Sequence, residues 1–330
     1  MAAVTASRRH RMSLTDDKLL EAIGIQEITV KGKSEEEVEE EYNDKFSGKA
    51  TKGQDIKFFI PDKEFFTPMG KSKRGDWLAE HEESGQTYKQ FITGEYRGPD
   101  KIHHTIYLAP VTFKEDALPE QVLQPLKTFA EIFFGMKVNC MEERNLVGKV
   151  SDRFKNDIFQ VKASQILDRL DEKVPKDAFC VAGITMCDLY PKKEWNFVFG
   201  LARSPGCTGV YSLARYLSNF GESTYTHINL DSDPIPTILV RACKTMCHEM
   251  GHMFGLRHCT HFHCLMNGSN HLKESDSQPS FLCPICLRKL HHVCKFDIIQ
   301  RYKDMKDFWS EQGLKSQADW LERRLNKLLS

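Results

Sequence analysis

From His248 to Cys259 the chain reads H-E-x-x-H-x-x-G-x-x-H-C. His248 and His252 are four apart, so on a helix they lie one turn from each other on the same face. Two neutral imidazoles so arranged make half of a tetrahedral zinc site. Glu249 is turned about 100° from His248 and sits beside such a metal, where it can act as general base on a zinc-bound water. Gly255 tolerates the positive φ that ends and reverses a helix, so that His258 can return as third ligand. The fourth position stays open for water, the mark of a catalytic site. The alternative is an amphipathic helix whose histidines merely face solvent.

A second group of ligand types follows. Cys259 and Cys264 form one pair, and Cys283-Pro284-Ile285-Cys286 supplies another. Four cysteines in two close pairs match a closed, all-thiolate structural zinc site. Pro284 suits the first turn of a helix, whose N-terminus favours thiolates. Unliganded thiols or two disulfides are the alternatives, and His261 or His263 could displace one cysteine as ligand. Because His258 and Cys259 are adjacent, the expectation is two Zn2+ per chain bound through consecutive residues. The structural ion would then steady the third catalytic ligand. Cys294 falls outside the ligand spacing and reads as packing.

The elements that must position these residues follow from periodicity. The motif helix is expected over 236–254, with Leu239, Ala242, Met246, Met250 and Met253 as its apolar stripe. Upstream, helices are expected over 15–23, 118–134 and 160–170, and strands over 105–111, 136–140, 179–185, 195–201 and 209–213. Downstream, one long helix is expected over 287–309. The glutamate-rich run 35–41 reads as a solvated helix or flexible segment, 1–12 as a disordered tail, and 218–236 as a polar loop. This alternation implies an α+β layer of helices on a mixed sheet.

The chain has 330 residues with 46 Lys+Arg against 46 Asp+Glu. That balance disfavours nucleic acid and anionic membranes as partners. Arg8, Arg9 and Arg11 precede no apolar stretch long enough for a secretory signal. The 11 cysteines therefore read as reduced, and the chain as intracellular (cytoplasmic and/or nuclear), not secreted. A monomer is the simplest expectation.

The combined pattern, H-E-x-x-H-x-x-G-x-x-H-C-x4-C-x-M followed by C-x2-C, resembles the archaemetzincins, a branch of the metzincin zinc metallopeptidases. The resemblance covers roughly 103–305, and the long N-terminal segment is similar to that of vertebrate-type members. It implies a catalytic domain over 103–305, an N-terminal extension over 1–102, partly disordered, and a helical tail over 306–330. It implies a twisted sheet, an active-site helix and a C-terminal subdomain holding the four-cysteine zinc. Met266 matches the methionine turn, an apolar base beneath the three histidines and not a ligand. A peptide would lie antiparallel along an edge strand, for which 209–213 is the candidate. Asn267-Gly268-Ser269 follows Met266, so the tyrosine that some metzincins use on the oxyanion is absent there. Zinc and a protonated Glu249 would polarise the carbonyl instead.

The function so implied is zinc-dependent hydrolysis of peptide bonds in a peptide or protein substrate, with aminopeptidase action on small peptides as the finer expectation. The alternative is a zinc-stabilised binding or scaffolding protein with little activity. A nucleic-acid binder built on the cysteines finds no basic-aromatic cluster near Cys283 to support it.

Overall fold

The computed structural model describes residues 16–24, 56–113, 118–204, 206–221 and 233–330. The expected tail at 1–12, the acidic run at 35–41 and most of the 218–236 loop lie outside them.

A six-stranded sheet forms the centre. Five strands run in the order β2 (Lys137–Cys140), β1 (Thr105–Thr112), β6 (Ala178–Thr185), β9 (Thr208–Ser212) and β8 (Gly200–Ala202), with β3 (Arg144–Asn145) also pairing β1. All pairs are parallel except β8 with β9. The apolar run of β6 is buried along its whole length, as a central parallel strand covered on both faces requires. Alternate residues feed two cores. Leu108 and Ile184 meet α4 (Glu120–Phe134) and α6 (Ile235–Met253), whereas Val181 and Val210 meet α5 (Ala163–Asp171). The result is a mixed sheet between helical layers, as expected. The described N-terminal residues add α1 (Asp16–Ile23), α2 (Trp77–Glu80) and α3 (Tyr88–Thr93).

Four local expectations are corrected. The segment 160–162 is not helical: it belongs to β5 (Ile158–Lys162), which pairs β4 (Asp152–Lys155) and β7 (Asp188–Tyr190) in a separate three-stranded sheet. The β4–β5 turn uses positive φ at Asn156 and Asp157, 50° and 62°, the geometry of a tight two-residue hairpin. The strand expected over 195–201 shortens to β8 at Gly200–Ala202. The segment 209–213 is no edge, because β9 lies between β6 and β8 and both sides of its backbone are paired. The edge is β8.

The long helix expected over 287–309 is two helices, α8 (Pro284–Cys294) and α9 (Ile298–Glu311). Lys295 adopts a left-handed conformation (φ 55°) and ends the first, and the Asp297 side chain accepts from the Gln300 N–H to start the second. After α7 (Leu272–Ser277) and these two, α10 (Lys315–Leu329) closes the chain. Its Trp320 stacks on Phe281 with ring centres 3.6 Å apart. No helix among the described residues is long and apolar enough to cross a membrane.

Candidate metal centres

The apolar stripe of α6 (Leu239, Ala242, Met246, Met250, Met253) is wholly buried, which turns His248 and His252 toward an open cleft. Gly255 takes φ +94° directly after the helix, and the chain returns with His258. The three rings stand 4.7, 5.2 and 5.0 Å apart by their centres. The Nδ1 of His248 lies 3.0 Å from the Leu265 carbonyl, and that of His252 lies 2.7 Å from the Leu256 carbonyl. A nitrogen facing a carbonyl must carry the proton, so each Nε2 keeps its lone pair. These two Nε2 atoms face each other at 3.0 Å. Two lone pairs at that distance repel unless a cation lies between them. Burial and the neighbouring imidazoles hold His248 well below the ordinary histidine value and His252 at about 4, so both rings are neutral ligand forms.

The third histidine has a partner that no local pattern announces. His258 Nδ1 lies 2.9 and 3.1 Å from the two carboxylate oxygens of Glu83, 175 residues upstream. Burial is the largest single influence on the Glu83 carboxyl and raises it, but the hydrogen bond and charge of His258, with help from Trp77 and His81, together outweigh it and the net shift is downward. The segment bearing Glu83 is stitched onto the histidine loop. Gln86 donates to the Gly255 carbonyl and accepts from the Arg257 N–H. The Trp77 ring meets His258 edge-on at 5.2 Å. The N-terminal segment is thus part of the site, a role that composition alone could not reveal.

Glu249 is buried beside the histidines, and burial pushes its carboxyl up to about 8. A divalent cation in the triad would act in the opposite direction. Its side chain lies against the edge strand: a Cβ on Gly200 would stand 2.5 Å from Glu249 Cγ and Oε1. The cleft above encloses about 740 Å³. Trp77, His81 and Trp195 wall its mouth, with His81 and Trp195 stacked at 6.2 Å.

Met266 is fully buried under α6, and its Sδ would be 2.7 Å from a Cβ on Gly251. Only a glycine lets the methionine approach the helix between the two histidines so closely. Asn267 ties the turn: its amide donates to the carbonyls of Cys259 and Phe262, and its oxygen accepts from the Cys264 N–H.

Cys259, Cys264, Cys283 and Cys286 converge in a buried group whose sulfurs all lie within 4.8 Å of one another. The Cys259 and Cys283 sulfurs are 3.6 Å apart. That is far beyond a disulfide bond and close to the ~3.8 Å edge of a tetrahedron built on Zn–S bonds of ~2.3 Å. Cys264 Sγ accepts two backbone N–H groups, from Met266 and Cys283. Hydrogen bonds from the other thiols hold Cys259 well below the usual thiol value, while burial pushes Cys264 and Cys283 up. One thiolate among buried sulfurs calls for a cation to ionise the rest. The two-disulfide alternative does not fit, and His261 and His263 remain outside the four-sulfur group. A third cluster, Asp76, His271 and Glu274, is spent otherwise: the Glu274 oxygens accept from the Trp77 and Asn270 N–H groups, and His271 caps α7.

The Peptidase family M54 model matches residues 135–292. The chain is 39% identical to rat archaemetzincin-2 over 74% of this chain and 75% of that one. It is 38% identical to human archaemetzincin-2, again over 74% and 75%. Among solved structures, the archaemetzincin of Methanopyrus kandleri shares 28% identity, covering 60% of this chain and 99% of the other with a TM-score of 0.46. With this identity over three quarters of a relative's length, and with the H-E-x-x-H-x-x-G-x-x-H-C pattern folded into two ligand clusters, the chain belongs to the archaemetzincin family of zinc metallopeptidases.

Proposed function

We propose that the chain cleaves peptide bonds at the three-histidine centre, with His248, His252 and His258 holding a catalytic Zn2+ and Glu249 acting as general base. The observation that carries this reading is the facing pair of unprotonated Nε2 atoms at 3.0 Å. When bound, zinc supplies a Lewis acid that polarises the scissile carbonyl and acidifies water. Glu249 accepts a proton from the attacking water and returns it to the leaving amine. Gly200 on the edge strand β8 leaves room for the Glu249 side chain to lie against the strand along which an extended substrate would run. The walls of Trp77 and Trp195 keep bulk water from the reacting atoms.

Cys259, Cys264, Cys283 and Cys286 hold a second, structural Zn2+ in this reading, giving two per chain. Met266 forms the apolar base of the histidine centre and ligates nothing. The catalytic unit spans 103–305, and the segment around Glu83 completes it. A cleft of about 740 Å³ is in the size range of sites that enclose small molecules, which favours short peptides, including aminopeptidase action.

The test is Glu249→Gln. The variant should keep its zinc and lose hydrolysis of a peptide library by about 10²- to 10⁴-fold, the range of a lost general base. Undiminished hydrolysis at full zinc content would remove Glu249 from the mechanism.

A further inference from the structure

One buried cation in the cleft has no part in the chemistry above. Lys244 lies one helical turn before His248 on α6 and is 7% exposed. It lines the catalytic cleft and also an adjoining cavity of about 390 Å³. Its ammonium donates to the Ser275 carbonyl at 2.6 Å. No carboxylate pairs with it among the described residues. The nearby acid, Asp276, is engaged by Arg241 through two hydrogen bonds of 2.9 and 2.8 Å. Glu274, on the same short helix, spends both oxygens on backbone N–H groups. Thr245, Ser269, Asn270 and Gln278 add uncharged polar side chains to the cleft wall, whose one carboxylate among the described residues is the proposed base Glu249. An ammonium has three donors, and the one negative charge acting on Lys244 among the described residues, Asp276, is already bonded to Arg241, so its burial is only partly compensated. A protein that keeps such a lysine on a substrate cleft gains when the ligand brings a further anion.

We propose that Lys244 forms a carboxylate-binding subsite that selects substrates with an acidic group beside the scissile bond, an inference that rests on the peptidase reading and names its substrate class. One helical turn advances about 5.4 Å, and an extended peptide advances about 3.3–3.6 Å per residue. The subsite therefore serves a position within two residues of the cleaved bond. The carboxylate can come from an aspartate or glutamate side chain, or from the free C-terminus of a short peptide.

The test uses zinc-loaded full-length protein and fluorogenic peptides. A C-terminally amidated peptide with only neutral side chains is compared with versions carrying one glutamate at each of two positions either side of the bond. A further version has a free C-terminal carboxylate. In the wild type, one glutamate position or the free terminus should raise kcat/KM about 10- to 100-fold over its neutral isostere, the ratio a charge-assisted hydrogen bond supports. Which version responds identifies the source of the carboxylate. In Lys244→Met that ratio should fall to near one, Lys244→Arg should retain it, and Lys244→Glu should favour a lysine-bearing peptide. If Lys244→Met does not fold, Lys244→Gln replaces it. A ratio near one in the wild type, or an unchanged ratio in the neutral variants, overturns the subsite. If the wild type cleaves none of the peptides, the peptidase reading is what fails. Fluorescence anisotropy of labelled acid and amide peptides then decides the subsite separately: equal binding of the two peptides overturns it, and acid-selective binding lost in Lys244→Met supports it.

Discussion

Glu83 offers the sharpest quantitative check on the histidine centre. Its carboxylate accepts the His258 Nδ1–H at 2.9 Å, with the His258 and Glu83 side chains only 19% and 28% exposed. Glu83→Ala removes that acceptor and frees the ring to rotate away from the other two histidines. Loss of a hydrogen-bond partner behind a metal-ligating histidine costs about 10- to 100-fold in metal affinity, equivalent to about 1.4–2.7 kcal/mol. The charge-assisted hydrogen bond itself contributes about 1.5–3 kcal/mol, so the two routes agree. Glu83→Gln keeps an acceptor but not the charge and should fall between wild type and alanine. The assay is equilibrium competition with a chromogenic zinc chelator, alongside Co2+ substitution. Cobalt at the four cysteines has thiolate charge-transfer bands, which distinguish that site from the histidines. The expected result is a weakened histidine site with unchanged thiolate bands. Wild-type affinity at the histidine site of Glu83→Ala, with those bands intact, would falsify the proposed role of Glu83.

Three further outcomes can be measured directly. Cys283→Ser should reduce bound zinc by elemental analysis and lower Tm, and it should also loosen the histidine site, because Cys259 adjoins His258 and its N–H donates to the Met266 carbonyl at 2.7 Å; an unchanged zinc count refutes the four-sulfur site. Gly200→Ala forces a Cβ to within 2.5 Å of Glu249, so kcat should fall at least about tenfold, as displacing a general base implies, while zinc is retained; full activity would show that Glu249 needs no such clearance. Burial, with help from Lys295, lowers His291 to about 4 from an ordinary 6.5. Between those values the unfolded chain binds the extra proton, so stability should decline as pH falls from about 6.5 toward 4. His291→Gln should flatten that decline in urea titrations, and an unaltered pH slope would exclude His291 as its source.

The candidate ligand residues are legible because short-range spacing carries their geometry. A separation of four on a helix puts His248 and His252 on one face, and a positive-φ glycine returns His258 whatever lies elsewhere. The paired cysteines were legible for a similar reason, although their joining across 24 residues, from Cys259 to Cys283, required the fold. Local punctuation is less legible. Asp297 capping a new helix was passed over in a continuous apolar periodicity, and β5 was absorbed into the helix that follows it. Edge status is not legible locally, because it is a property of neighbours: nothing within 209–213 records that β8 will pair its outer side.

What the amino-acid sequence determined by itself is the proposed chemistry: two sets of candidate metal ligands, a candidate base beside one of them and a methionine near both. These depend on residue type and on distances along a few turns of backbone. What only the tertiary structure decided is everything that closes the site from afar. Glu83 meets His258 across 175 positions, Gly200 makes room for Glu249 from another strand, and Lys244 faces the cleft because the chain after Met266 folds back beside it. Such contacts are set by packing between distant segments, and no local period or spacing encodes them.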